Sequence, residues 1–265
     1  PSWSSAEPAT AEVVRVRNLN PVCPALTKSG MDTQVIQTGS PRTLLELDLI
    51  ADLACPWSFL GKRSLERALR NLYGTPVRAL RCHRFRGQGE GEQKATAWQE
   101  HLATRLPAGV TVDLAHRTLA DAGRALGIRF DFDKLSKLPD TREAHRLVKL
   151  AARDERQSEV ADALFGAFFE SGRDIADPLV LAAVGAESGL STGTLDAFRN
   201  PSEGRDDVAA EETRLRGLGV TATPNLLING RILVPGPADV STYVQALDQA
   251  LFPELPAPQD KRLLH

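Results

Sequence analysis

Three cysteines, at positions 23, 55 and 82, are the strongest candidate nucleophiles in this 265-residue chain. They form no Cys-x-x-Cys pair and no Cys/His cluster with zinc-ligand spacing, so neither a motif-borne dithiol nor a metal site is expected. Cys55 stands between the apolar run Leu44-Leu45-Glu46-Leu47-Asp48-Leu49-Ile50 and an amphipathic stretch from Phe59 to Leu69, which places it at a helix N-terminus. Unpaired N–H groups and the positive end of the helix dipole favour an anion there. A thiol in such a place has its pKa lowered from about 8.5 into a range of about 3.5 to 7.5, which would make Cys55 a nucleophile at neutral pH. Cys55 also reads as a small buried hydrophobe, the usual state of a free cysteine. Position alone leaves both readings open.

The elements that must hold Cys55 follow from periodicity. The run before it reads as a buried strand. Pro56 suits the first turn of the following helix, where a missing N–H costs nothing. That helix is expected to end near Tyr73-Gly74, and Val77 to Phe85 reads as a second, parallel strand that carries Cys82. Residues 93 to 200 are helical in character, with segments at 94–106, 113–126, 140–153, 158–171 and 177–188. A helix over about 205–217 leads to two apolar runs separated by Asn229-Gly230, a strong hairpin signal, and a last helix spans about 238–251. The order β-α-β, helical block, α-β-β-α implies an α/β fold, a mixed sheet with helices on both faces and the block as an insertion.

Composition narrows the function classes. With 32 Lys+Arg against 34 Asp+Glu, a formal charge of −2 offers no broad attraction to nucleic acid or anionic lipid. No apolar run approaches the roughly 20 residues that span a bilayer. Hydrophobic residues at 42% exclude disorder of the whole chain. Residues 1–30 lack the pattern of a secretory signal and read as a mostly flexible leader containing Cys23, with the sole Met, Met31, just after it. A cytoplasmic protein is expected. The basic clusters Lys62-Arg63 and Arg81 to Arg86 read as solvated faces, or as attractors of a ligand carboxylate.

Three separated segments stand out: Asp52 to Lys62 around Cys55-Pro56-Trp57-Ser58, Asp140 to Leu147 with Ala163 to Phe169 behind it, and Gly219 to Pro224. Together they resemble the DsbA-like family of the thioredoxin superfamily, in its FrnE-type branch. Relatives of that branch are the 2-hydroxychromene-2-carboxylate isomerases and kappa-class glutathione transferases. Asp52-Leu53-Ala54-Cys55-Pro56-Trp57-Ser58-Phe59-Leu60-Gly61-Lys62 resembles the active-site segment, in which an aspartate precedes Cys-Pro-Trp-Cys and Gly-Lys follows. Asp140 to Leu147, with Ala163 to Phe169 behind it, resembles the helical insertion, and Gly219-Val220-Thr221-Ala222-Thr223-Pro224 resembles the cis-proline loop. The resemblance implies a thioredoxin fold with a large all-helical insertion. It divides the chain into an extension at 1–42, thioredoxin-like parts at 43–90 and 201–252, the insertion at 91–200 and a tail at 253–265.

The resemblance further implies that Cys55 is the nucleophile and that Pro224 is the cis-proline beside it. The backbone of Thr223 would then bond an extended substrate, and Pro56 and Trp57 would line the substrate cleft, with packing as the plain alternative for Trp57. His145, on a helix of the insertion, reads as a structural or cleft-lining histidine, with a catalytic base as its lesser alternative. One departure matters most: Ser58 stands where the family has its second cysteine, which removes the motif disulfide and leaves a monothiol that an external thiol must resolve. Ser58 could instead donate a hydrogen bond to the thiolate. Cys82 is a lesser candidate for resolving Cys55, with packing as its expected role.

The expected function is thus monothiol thiol–disulfide exchange. Glutathione or another low-molecular-weight thiol serves as co-substrate, with no tightly bound cofactor or metal. A glutathione-dependent isomerase or transferase acting on an aromatic or polyketide-like small molecule is the alternative enzyme; a non-catalytic binding module is the alternative outside catalysis. Against the isomerase stands cysteine rather than serine at position 55, and Asp239 is displaced by one residue from the turn that grips the γ-glutamyl end in the kappa class. The expected partner is a thiol or disulfide, protein or small molecule, rather than nucleic acid or membrane. The oligomeric state stays open, a homodimer included.

Overall fold

The apolar run before Cys55 becomes an interior strand of a five-stranded mixed sheet. The computed structural model describes residues 14–15, 44–72, 77–85 and 97–252. Cys23, Met31, Arg86, the expected helix end at Tyr73-Gly74 and the tail at 253–265 lie outside the described residues. In chain order the strands are β1 (Val14–Arg15), β2 (Leu45–Ala51), β3 (Val77–Arg84), β4 (Asn225–Ile228) and β5 (Ile232–Pro235), laid out β1-β5-β4-β2-β3. The helices are α1 (Pro56–Asn71), α2 (Trp98–Ala103), α3 (Val112–Ala125), α4 (Arg142–Leu150), α5 (Gln157–Phe169), α6 (Pro178–Glu187), α7 (Thr192–Arg199), α8 (Arg205–Gly217) and α9 (Val240–Leu251).

The expected β-α-β unit is present: β2 and β3 pair in parallel across α1, with Leu49 opposite Cys82. The hairpin β4–β5 turns through Asn229 and Gly230, both at positive φ (51° and 64°), which asparagine and glycine adopt at least cost. Asn229 also ties the hairpin to β2, accepting from Glu46 N–H and donating its own N–H to the Glu46 carbonyl, both at 2.8 Å. Two elements were not foreseen. Val14–Arg15, inside the segment read as an extension, pairs with β5 at the sheet edge, and α7 is a short helix capped by Ser191.

Alternation along β2 assigns its faces. Leu45 and Leu47 pack with Leu65, Ala68, Tyr243 and Leu247 of α1 and α9, while Leu49 and Ala51 join the core of the helical block through Phe59 and Phe165. Ile50, on the other face, meets Phe85 and Leu215 of α8. The block docks on α1 through stacked rings: Phe59 lies 5.0 Å from Phe165, centroid to centroid.

The basic clusters are only partly solvated: Arg63 and Arg81 keep part of their surface, while Lys62, His83 and Arg84 are buried. Lys62 is 1% exposed and paired with Glu66 and, at 3.3 Å, with Asp162 of α5. On the far face of the sheet Asp48 holds Arg81 (2.6 Å) and His83 (2.8 Å). The same His83 faces Glu211 at 3.1 Å, and Glu211 pairs with Lys149 at 2.6 Å. Arg84 pairs with Glu212, both buried. Covering the sheet with helices removes water from these side chains, and a buried charge needs a partner.

Candidate active site

After β2 the chain turns through Asp52, Leu53 and Ala54 before Cys55 opens α1. The turn is held by short-range bonds: Cys55 N–H donates to the Asp52 carbonyl (2.9 Å) and Ala54 N–H to Asp52 Oδ1 (2.9 Å). The block holds it from outside, because Thr141 donates its hydroxyl to Asp52 Oδ1 (3.1 Å) and Leu53 N–H donates to Nε2 of His145 on α4 (3.2 Å). Cys55 takes the N-cap position and Pro56 the first helical one, as the sequence predicts.

Cys55 is a free thiol, partly exposed. Its surroundings do not yield the depressed pKa expected at a helix start. Burial pushes the thiol up, and the Asp52 carboxylate adds to the rise; hydrogen bonds from the Ser58 hydroxyl, Ser58 N–H and Thr223 hydroxyl favour the thiolate but do not reverse it. Ser58 is fully buried and addresses the sulfur. Thr223 contributes its side chain, where sequence reasoning had looked only to its backbone.

Cys55 opens into a cleft of about 230 Å³. One side carries Asp52, Pro56 and Trp57 from the β2–α1 junction, and Ala222 and Thr223 close another. The Thr223–Pro224 peptide is cis. The loop is fixed by Asn225, whose Nδ2 donates to the Ala222 carbonyl at 2.6 Å, and by Gly236 N–H, which donates to the Pro224 carbonyl at 2.8 Å. Pro224 itself packs on Gly61 of α1. A Cβ at Gly61 would lie 3.2 Å from Pro224 Cγ and 3.3 Å from the Tyr243 hydroxyl, so a hydrogen at this position lets the loop approach the helix.

The remaining wall comes from the helical block: Trp98, His101 and Leu102 of α2, Arg105 just beyond it, and Leu138. Trp98 is carried there by edge contacts with Phe168 (5.7 Å) and Phe169 (5.6 Å). An isolated bridge between Ala97 and Lys137 sets Trp98 near Leu138. Sequence reasoning missed these residues; the spacing of 94–106 announces a helix, but nothing local says which of its residues meets Cys55.

His145 is not a cleft residue. It is 2% exposed, does not line the cleft, and supports the turn before Cys55 from behind through Leu53. Burial, with the charges of Arg84 and His83, drives its pKa well below the usual histidine value, so it is a neutral acceptor. Cys82 is buried in the core, and burial pushes its thiol up to about 12. Asp239 caps α9, accepting Thr242 N–H at 2.7 Å. Among the described residues no group of three or more His, Cys, Asp or Glu side chains could hold a metal ion, and no helix is long and apolar enough to cross a membrane.

The fold has known counterparts. A probable DsbA oxidoreductase from Streptomyces coelicolor superposes with a TM-score of 0.68 at 24% identity, over 80% of this chain and 92% of its own. The cytosolic disulfide reductase DsbM of Pseudomonas aeruginosa, solved with glutathione, gives 0.54 at 23% identity over 78% and 96%. A 2-hydroxychromene-2-carboxylate isomerase gives 0.58 at 13% identity over 78% and 96%. These likenesses establish the fold. No curated protein matches the chain. A family model described as the DSBA-like thioredoxin domain matches residues 46–248, from β2 into α9, and the chain accordingly belongs to that family.

Proposed function

We propose that the protein is a monothiol thiol–disulfide oxidoreductase acting through Cys55, with glutathione or a similar small thiol as second reactant. One observation carries the reading: among the described residues Cys55 is the only thiol in the cleft, and Ser58, three residues on, turns a hydroxyl rather than a second thiol toward it. The Cys55 thiolate attacks one sulfur of a disulfide R–S–S–R. A Cys55–S–S–R bond forms, the substrate S–S bond breaks, and R–S⁻ leaves. An external thiolate R′–S⁻ then attacks the R sulfur of the mixed disulfide: an R–S–S–R′ bond forms, the bond to the Cys55 sulfur breaks, and Cys55 leaves as a thiolate. The likeness to a cytosolic disulfide reductase solved with glutathione supports both the reactant and the cytoplasm as the site of action.

Oxidised glutathione offered to the full chain should leave one glutathione on Cys55 by intact-mass and peptide analysis, and Cys55→Ser should carry none. Absence of the adduct at pH 8 would exclude the proposal.

The raised thiol pKa favours one other reading, in which a neutral Cys55 helps hold glutathione while a small aromatic substrate isomerises against Trp57 and Trp98. Under that reading turnover of a small-molecule substrate survives Cys55→Ser.

A further inference from the structure

We propose that Arg105 is the specificity residue of the cleft, anchoring an anionic group, a carboxylate above all, on the small disulfide that reacts at Cys55. The proposal rests on the monothiol reading and adds a substrate class to it.

Cleft size favours a small molecule. At about 230 Å³ it falls just below the roughly 300–1,000 Å³ common for small-molecule sites, enough for one half of a small disulfide. Trp57, Trp98, Leu102 and Leu138 give it apolar walls, on which only a few polar groups can fix orientation. Asp52 is one of these, already bonded to Ala54 N–H and the Thr141 hydroxyl, and its charge opposes an anion near the sulfur. A negatively charged disulfide therefore needs a compensating cation farther along the cleft.

Arg105 supplies it. Its backbone N–H closes the turn after α2 by donating to the Leu102 carbonyl at 2.9 Å, which holds the residue at the rim. The side chain is exposed, lines the cleft and makes no ion pair among the described residues. Elsewhere the cations near the sheet are committed: Lys62 to Glu66 and Asp162, Arg81 to Asp48, Arg84 to Glu212. A guanidinium with its fork unused matches a carboxylate in two parallel hydrogen bonds. Charge complementarity of this kind mainly raises the rate of productive encounter.

The test offers three small symmetric disulfides to the full chain: 3,3′-dithiodipropionate (anionic), 2-hydroxyethyl disulfide (neutral) and cystamine (cationic). Formation of the Cys55 mixed disulfide is followed by intact mass, for the wild type, Arg105→Gln and Arg105→Lys. The wild type should prefer the anionic reagent, and the anionic-to-neutral rate ratio should fall about tenfold in Arg105→Gln. Arg105→Lys, which keeps the charge but not the fork, should retain only part of the ratio, and added salt should erode the wild-type preference. A ratio unchanged in Arg105→Gln overturns the role of Arg105 while leaving the monothiol reading intact. No adduct with any of the three overturns the monothiol reading itself.

Discussion

Cys55 is the residue on which opposing effects meet. Burial and the Asp52 carboxylate disfavour its thiolate, while Ser58 and Thr223 favour it, and the first pair wins. Asp52 combines two roles, a bond acceptor that shapes the turn and a charge that restrains the sulfur, and substitution separates them. In Asp52→Asn the amide oxygen can still accept from Ala54 N–H and Thr141, but the charge is gone. The pH profile of Cys55 alkylation should move to lower pH, with reaction at pH 7 several-fold faster; an unmoved profile would mean that burial alone sets the pKa. Ser58 poses the converse case. Ser58→Cys restores a second thiol beside the first, within the roughly 7 Å between Cα atoms that a disulfide tolerates. The glutathione adduct expected on the wild type should then give way to an internal disulfide between positions 55 and 58, read by mass. A persistent adduct would show that the buried position at 58 cannot reach the sulfur in the mixed disulfide.

At the scale of elements, α1 mediates between the sheet and the cleft. Its N-terminus presents Cys55, its Phe59 face docks the helical block, and its Gly61 receives the Pro224 loop. Gly61→Ala tests that last contact. The exchange adds up to about 1 kcal/mol of helix propensity, whereas forcing a methyl against Pro224 and the Tyr243 hydroxyl costs about 1–3 kcal/mol. The net expectation is a loss of about 1 kcal/mol in urea unfolding, with slower adduct formation as the loop moves off the sulfur. A stabilised variant with unchanged kinetics would show that the loop yields freely. The contribution of α4 is less direct: His145 accepts the Leu53 N–H behind the turn that leads to Cys55, so a helix more than eighty residues away steadies that turn.

Across the whole molecule, the layer between the sheet and α4 and α8 carries buried charges beside its small apolar cluster, and this gives stability a pH dependence. Burial opposes the charge on His83, yet Asp48 and Glu211 outweigh it and raise its pKa. Burial likewise opposes the charges of its partners, but His83 and Arg81 hold Asp48 far below the usual carboxylate range, and His83 with Lys149 brings Glu211 down to about 2. A histidine with a raised folded pKa stabilises fully below its unfolded value of about 6.5, and that contribution is lost as pH rises through the folded pKa. His145, with its lowered pKa, acts in the opposite sense and stabilises above about 6.5. Unfolding midpoints in urea should therefore fall as pH rises above about 6.5, through the raised pKa of His83. His83→Gln should flatten that fall while costing about 3 kcal/mol at pH 6, since it leaves two carboxylates facing each other in the layer. A slope unaffected by the substitution would place the pH dependence elsewhere. Much of this architecture was legible in the chain because its rules are local: alternation in Leu45 to Ala51, Pro56 after Cys55, and Asn229-Gly230 between two apolar runs each act over a few residues. The identity of the thiol and the missing second cysteine are likewise plain in the sequence. Tertiary structure alone decided the sign of the Cys55 pKa shift, the pairing of Lys62 and His83, the place of His145 behind the turn, and the arrival of Trp98 and Arg105 at the sulfur's cleft. Burial and Coulomb interactions depend on which groups meet in space, and these come from segments tens of residues away from the thiol they govern.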